Sequence, residues 1–263
     1  MNKKKSSFLS WILVLLMIPA FQSCFNDDDD DYTFNDIPAL ATVHTLEDSN
    51  FYFKLEQLNK TFYPANIYSS SYNLVDGQRV WVYYDLLNDS TAGYDKTINV
   101  RFIQKILTKN VIQLNEENKD SIGDDSMIPI SASITGDYLN ITCYIPVSPT
   151  FTLVTLVNNT IDTDYSDDIN YPEDSEKENY TILEFHCNKN SQNTNLGYET
   201  VFISFYLGDY APSKTEKKGL VIRFHNNNME NNVYDYDIVE NDGKTYDLRK
   251  LTGDTSKYDF YCD

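Results

Sequence analysis

The stretch "DGQRVWVYYDLL" (76–87) sets the strongest constraint on the fold: after the turn formers Asp76 and Gly77, the residues Val80, Val82 and Tyr84 fall on one face of an extended chain. A period of two marks a half-buried strand, because successive side chains leave a strand on opposite faces. The same rhythm recurs on both sides. In "GYDKTINVRFIQKILTK" (93–109), Ile98, Val100 and Phe102 share a face with Asn99 and Arg101 opposite. "ALATVHTLEDSNFYFKLE" (39–56) reads as two strands joined by the polar turn Glu47-Asp48-Ser49-Asn50, and "KTFYPANIY" (60–68) as a short strand broken at Pro64. Aromatic residues favour strands, and the chain holds 21 Tyr and 14 Phe. No long segment repeats near a helical period, so the fold class is all-β.

Five strands within 39–109 suit a small closed barrel of the OB type. The polar segment "LNEENKDSIGDDSM" (114–127) lacks periodicity, is rich in turn formers and reads as a linker. Beyond it, strand patterns near 128–134, 138–145, 151–157, 180–186, 200–207, 220–224 and 233–239 suit an antiparallel β-sandwich. The expected layout is a barrel over 37–114, a linker over 115–127 and a sandwich over 128–263. Cys143 shares parity with Ile141 and Ile145, and Cys187 with Leu183 and Phe185, so both thiols face the apolar side of a strand. They form either a disulfide in an oxidising compartment or two buried free thiols. Cys262 leaves the count odd.

The N-terminus is a processing segment. Lys3, Lys4 and Lys5 precede an apolar run from Phe8 to Ile18 that stops at Pro19. That run is too short for a membrane span of about 20 residues and has the layout of a signal peptide over 1–23. Phe21-Gln22-Ser23-Cys24 resembles a relaxed bacterial lipobox, which implies cleavage after Ser23 and acylation of Cys24, with chains such as palmitate anchoring the protein to the membrane. Removing 23 residues leaves 240, with 18 basic and 40 acidic side chains and a net charge of −22. Such a charge repels phosphate backbones, so nucleic acid is excluded as a partner, and a protein, peptide or glycan ligand is expected. Residues 24–36 form an acidic tether in which Asp27, Asp28, Asp29, Asp30 and Asp31 repel one another and extend the chain.

Catalytic and cofactor signals are sparse. Nucleophilic catalysis needs a base beside the nucleophile, and the only histidines are His44, His186 and His225. There is no Gly-x-Ser-x-Gly elbow and no His-Glu-x-x-His zinc motif, so the chain reads as a non-enzyme without a cofactor. One loop matches a calcium template: Asp162, Asp164, Ser166, Asp168, Asn170 and Glu173 occupy its ligand positions. Asp167 stands where that template needs Gly, and a solvated acidic loop is the competing reading. Tyr-rich strands offer either stacking platforms or half-buried fillers with wet hydroxyls.

The blocks "DGQRVWVYYDLL", "GYDKTINVRFIQKILTK", "ENKDSIGDDSM", "ITGDYLNI", "LVTLV", "YTILEFHCN" and "TVFISFYL" occur in the order seen in NigD-like lipoproteins of Bacteroides-group bacteria, and the chain resembles that family from about Val43 to Leu207. The resemblance implies an N-terminal OB-like barrel and a C-terminal β-sandwich. It also brings the suggestion of bacteriocin immunity, from the operon that names the family, and supplies no catalytic residue or ligand. Relatives tend to carry a Trp near Ile134. The acidic run after Cys24 resembles the export signal that sends such lipoproteins to the outer face of the outer membrane, the alternative being a spacer facing the periplasm. Ser90, Ser121 and Ser126, each preceded by Asp, resemble acceptors for O-glycosylation in these bacteria. A surface adhesion or glycan-handling role is the alternative function.

Overall fold

The computed structural model describes residues 38–47, 50–148, 151–161, 178–190, 197–225 and 234–248. Strands β1 (Ala39–Thr45), β2 (Phe51–Leu55), β3 (Lys60–Pro64), β4 (Arg79–Leu87) and β5 (Lys96–Lys105) close into a barrel of order β1-β2-β3-β5-β4. The alternation read in the sequence drives this closure. Phe51, Phe53, Phe62, Val80, Val82 and Ile98 all point inward and are buried. Burying each such side chain contributes about 1.5–3 kcal/mol.

β5 departs from simple alternation. Tyr84 pairs with Val100 and Tyr83 with Phe102, so Arg101 is an extra, bulged residue. A bulge reverses the parity beyond it. Phe102, expected beside Val100 on the inner face, is therefore 53% exposed, and Ile103 takes its place inside at 4%.

The other ten strands build two five-stranded sheets. One has the order β14-β13-β11-β10-β7 and the other β15-β8-β9-β12-β6. These are β6 (Leu107–Asn110), β7 (Ile112–Leu114), β8 (Ile128–Thr135), β9 (Tyr138–Pro146), β10 (Leu153–Asn159), β11 (Tyr180–Asn188), β12 (Tyr198–Tyr206), β13 (Gly219–His225), β14 (Tyr234–Glu240) and β15 (Thr245–Asp247). The sandwich core is formed by Leu139, Ile141, Cys143 and Ile145 of one sheet against Leu183, Phe185 and Cys187 of the other. Ile134, near which relatives tend to carry Trp, is buried in the same core. Most strand pairs of the sandwich are antiparallel, but β7–β10, β11–β13 and β6–β12 run parallel.

Two of those parallel pairs move the boundary between the domains. The barrel strands end at Lys105, and β6 and β7, expected as part of a barrel reaching to 114, join the edges of the two sandwich sheets. They are short and half-exposed, and so carry no alternation to read. Lys109 of β6 ties the sheets together there, donating from Nζ to the Val154 carbonyl at 2.6 Å.

The expected linker is likewise part of the sandwich. It contains the one-turn helix α1 (Lys119–Ile122) and lies along the end of β11 and β13. Asp125 N–H donates to the Cys187 carbonyl at 2.7 Å, Met127 N–H to the His225 carbonyl at 3.0 Å, and the Asn188 side-chain amide to the Ser121 carbonyl at 2.9 Å. Ile122 and Met127 are both buried. Met127→Ala is therefore expected to lower the unfolding free energy by about 2–5 kcal/mol, as for a core truncation. A linker residue would lose less than about 0.5 kcal/mol in the same urea titration.

Candidate functional site

The barrel meets the outer face of the β15-β8-β9-β12-β6 sheet around Arg79. Arg79 alternates with Val80 and Val82 and so points out of the barrel, yet its side chain is 0% exposed because the sandwich covers it. Its Nη1 lies 2.5 Å from Glu56 Oε2, on the turn between β2 and β3, and donates to Thr42 Oγ1 at 2.7 Å. Nη2 donates across the junction to Thr135 Oγ1 at 2.9 Å. The contact continues along the same face of the sheet: Asn140 Nδ2 donates to Thr135 Oγ1 at 2.9 Å, and Ser204 Oγ to Asn140 Oδ1 at 2.7 Å. The guanidinium also lies 4.8 Å from the centre of the Tyr138 ring, a cation–π contact. Gly136 turns β8 into β9 with φ +58°, and a Cβ there would meet Glu56 Cγ at 2.7 Å. Glycine is needed for the turn and for the approach.

Beside this junction lies a cleft of about 750 Å³ with walls from both domains. His44, Asp76, Gly77, Gln78 and Lys105 come from the barrel, and Leu107, Tyr138 and Tyr206 from the sandwich. The Tyr138 and Tyr206 rings are 5.4 Å apart. Tyr138 donates its hydroxyl to the Gly77 carbonyl at 2.8 Å, and burial pushes its pKa up to about 12, so it stays a neutral donor. Asp76 accepts from the Thr45 N–H at 2.9 Å, and Lys105 Nζ donates to the Asn73 carbonyl at 2.7 Å. Apolar rings, a few polar groups and walls from two domains are the usual make-up of a ligand site.

The histidines expected as possible bases have other duties. His186 Nε2 faces Glu184 Oε2 at 2.9 Å, and its Nδ1 faces the Gly123 carbonyl at 3.0 Å. With an oxygen acceptor at each nitrogen, the ring is held doubly protonated. Burial pulls its pKa down, but hydrogen bonds and charge from Asp124 and Glu184 outweigh this and raise it to about 9. Asp124 also receives the Tyr234 hydroxyl and lies 3.6 Å from His225 Nδ1. Glu184 is met by Asn159 Nδ2 at 3.0 Å and by Arg223 at 3.4 Å. The cluster fastens residues 123–127 to the β14-β13-β11-β10-β7 sheet. His44 instead stacks on Tyr52 with ring centres 5.0 Å apart.

Several expected site residues lie outside the described residues: Cys24, Asp27 to Asp31, and the calcium-template positions Asp162, Asp164, Ser166, Asp168, Asn170 and Glu173. Cys143 and Cys187 sit inside the sandwich as parity requires, but as free thiols and not as a disulfide. They act as small apolar fillers, and burial raises both pKa values, that of Cys187 to about 12. Ser90 is exposed in the β4–β5 loop, Ser121 is exposed on α1, and Ser126 is half-buried. Arg79, Glu56 and Tyr138 carried no sequence signal. Each lies on an outward face that only the docked domains enclose.

Two predictions follow from these contacts. Arg79→Ala leaves Glu56 buried without its partner and is expected to cost about 3–5 kcal/mol, whereas the double change Arg79→Met with Glu56→Leu recovers most of that in denaturant titration. His186, whose folded pKa is raised, contributes stability that is complete below about pH 6.5 and lost as pH rises through about 9. The stability gap between wild type and His186→Gln should shrink on the order of 3 kcal/mol across that window. A gap independent of pH would rule out the charged imidazole.

Comparison with known families and structures agrees with this architecture. The NigD-like N-terminal OB domain matches residues 40–106, and the NigD-like C-terminal beta sandwich domain matches residues 110–238. No curated protein matches the chain. A Bacteroides vulgatus protein of unknown function is similar at 24% identity and TM-score 0.59, over 78% of this chain and 90% of its own. A Parabacteroides distasonis protein provisionally named toxin-related is similar at 21% identity and TM-score 0.57, over 82% and 97%. A Bacteroides fragilis protein provisionally named a lipoprotein shares 11% identity at TM-score 0.50, over 78% and 97%. At such identities these structures share the fold. With matches to both of its domains, one after the other, the chain belongs to the NigD-like family.

Proposed function

We propose that this protein is a non-catalytic binding lipoprotein of the cell envelope, held by acylated Cys24 on the outer membrane, with its ligand taken in the cleft between barrel and sandwich. The observation that carries the reading is the cleft itself. Its walls come from both domains, and the tyrosine pair Tyr138 and Tyr206 lies among His44, Asp76, Gln78 and Lys105. The chemistry suits a protein or peptide segment that offers both apolar and hydrogen-bonding groups. Membrane attachment is supported by the lipobox-like Phe21-Gln22-Ser23-Cys24 and by the lipoprotein name of the B. fragilis neighbour. Asp27 to Asp31 direct the protein outward and hold it off the membrane by mutual repulsion. Bacteriocin immunity is the family-derived role for the cleft.

One set of strains tests this reading. Deletion of the gene should sensitise cells to a cognate bacteriocin, with survival restored by the wild-type chain and not by Cys24→Ser or Tyr206→Ala. Protease added to intact cells should digest the wild type and spare a chain in which Asp27 to Asp31 are replaced by Ala. Killing that is unchanged on deletion would reject immunity, and a wild-type chain resistant to protease would reject surface display.

A further inference from the structure

On the outer face of the barrel, four rings lie in unbroken contact. His44 of β1 stacks on Tyr52 of β2, with centres 5.0 Å apart and planes 18° from parallel. Tyr52 meets Tyr94 at 5.5 Å, and Tyr94 meets Tyr63 of β3 at 5.1 Å. Strand parity explains why they are outside. Tyr52 lies between the inward Phe51 and Phe53, and Tyr63 follows the inward Phe62. All four rings are half-buried, and the three tyrosines do not belong to the barrel core.

Tyr94 comes from the β4–β5 loop and is held in place. The neighbouring Asp95 accepts from the Thr61 N–H at 2.8 Å and from the Thr61 hydroxyl at 2.9 Å, while its own N–H donates to the Thr61 carbonyl at 3.0 Å. Those backbone and side-chain hydrogen bonds hold the Asp95 carboxyl below its usual range. The loop is thus fastened to β3 before any ligand arrives, which removes an ordering cost from binding.

The ladder occupies the surface of strands 2 and 3 and the loop between strands 4 and 5, the part of an OB barrel that takes oligonucleotides and oligosaccharides. Charge separates these two ligands. With 40 acidic side chains against 21 basic, the chain as a whole disfavours phosphate backbones and anionic polysaccharides, and Lys60 beside the ladder is already paired with Asp95 at 3.6 Å. Neutral sugar rings present C–H faces to aromatic rings and carry hydroxyls outward. Exposed polar groups border the ladder for those hydroxyls, with Asp76 at 66% and Asp95 at 38% side-chain exposure.

We propose that the His44, Tyr52, Tyr94 and Tyr63 ladder is a platform for an extended neutral oligosaccharide, separate from the inter-domain cleft that it meets at His44. The full chain should bind at least one of xylohexaose, mannohexaose and maltohexaose in calorimetric titration, and bind neither a polygalacturonate hexamer nor a thymidine hexanucleotide. Tyr94→Ala is expected to weaken binding about tenfold, and Tyr94→Phe, which keeps the stacking face, to preserve it. Tyr206→Ala, in the cleft, should leave it unchanged. The proposal is overturned if no neutral hexaose binds at millimolar concentration, if an anionic probe binds better, or if Tyr206→Ala abolishes binding while Tyr94→Ala does not. Because Tyr94 does not line the cleft, each site can fail without the other.

Discussion

The two-domain body depends on the burial of one ion pair. Arg79 and Glu56 both belong to the barrel, yet side-chain exposures of 0% and 8% are reached only because a sandwich sheet lies over them. Moving such a pair out of water costs several kcal/mol per ion and is tolerated only with close geometry and additional hydrogen bonds. Thr42 supplies one of those bonds from within the barrel and Thr135 another from the sandwich. Among the described residues, Arg79 Nε has no acceptor, so the compensation is incomplete. That incompleteness makes the fit demanding. A sliding of the two domains that moved Thr135 away would leave a second buried donor without a partner.

The cleft inherits its shape from this docking. Tyr138 lies against the Arg79 guanidinium and spans to the Gly77 carbonyl, so a cleft wall and the buried pair share a side chain. On the far sheet, His186, Asp124 and Glu184 fasten residues 123–127 in the same manner, with charges enclosed among acceptors. The polar residues of this chain that look most like chemistry are therefore largely holding segments together. The aromatic ladder is the exception, because its rings are packed on one another and not into a core.

Much of the fold was legible. Five barrel strands and seven sandwich strands could be placed by parity, since an inward Phe or Val every second residue is a local property of the chain. The failures have local causes too. The bulge at Arg101 reverses parity within a run that looks regular, and β6 and β7 are too short and too exposed to show a period. Residues 115–127 looked like a linker because their hydrogen bonds go to β11 and β13, far away in sequence. The candidate site was less legible than the fold. Tyr138 alternates like any strand residue, and its place in a cleft wall depends on what lies opposite.

The sequence by itself determined the strand content, the inward faces, the two-domain order and the net negative charge. These follow from side-chain type at spacing two and from net charge, neither of which needs a partner segment. Only the tertiary structure decided that Arg79 would be enclosed, that His186 would be charged between two acids, and that Tyr52, Tyr63 and Tyr94 would meet as one ladder. Each of those outcomes joins residues distant in sequence, and burial of an outward-facing group exists only once another surface has closed over it.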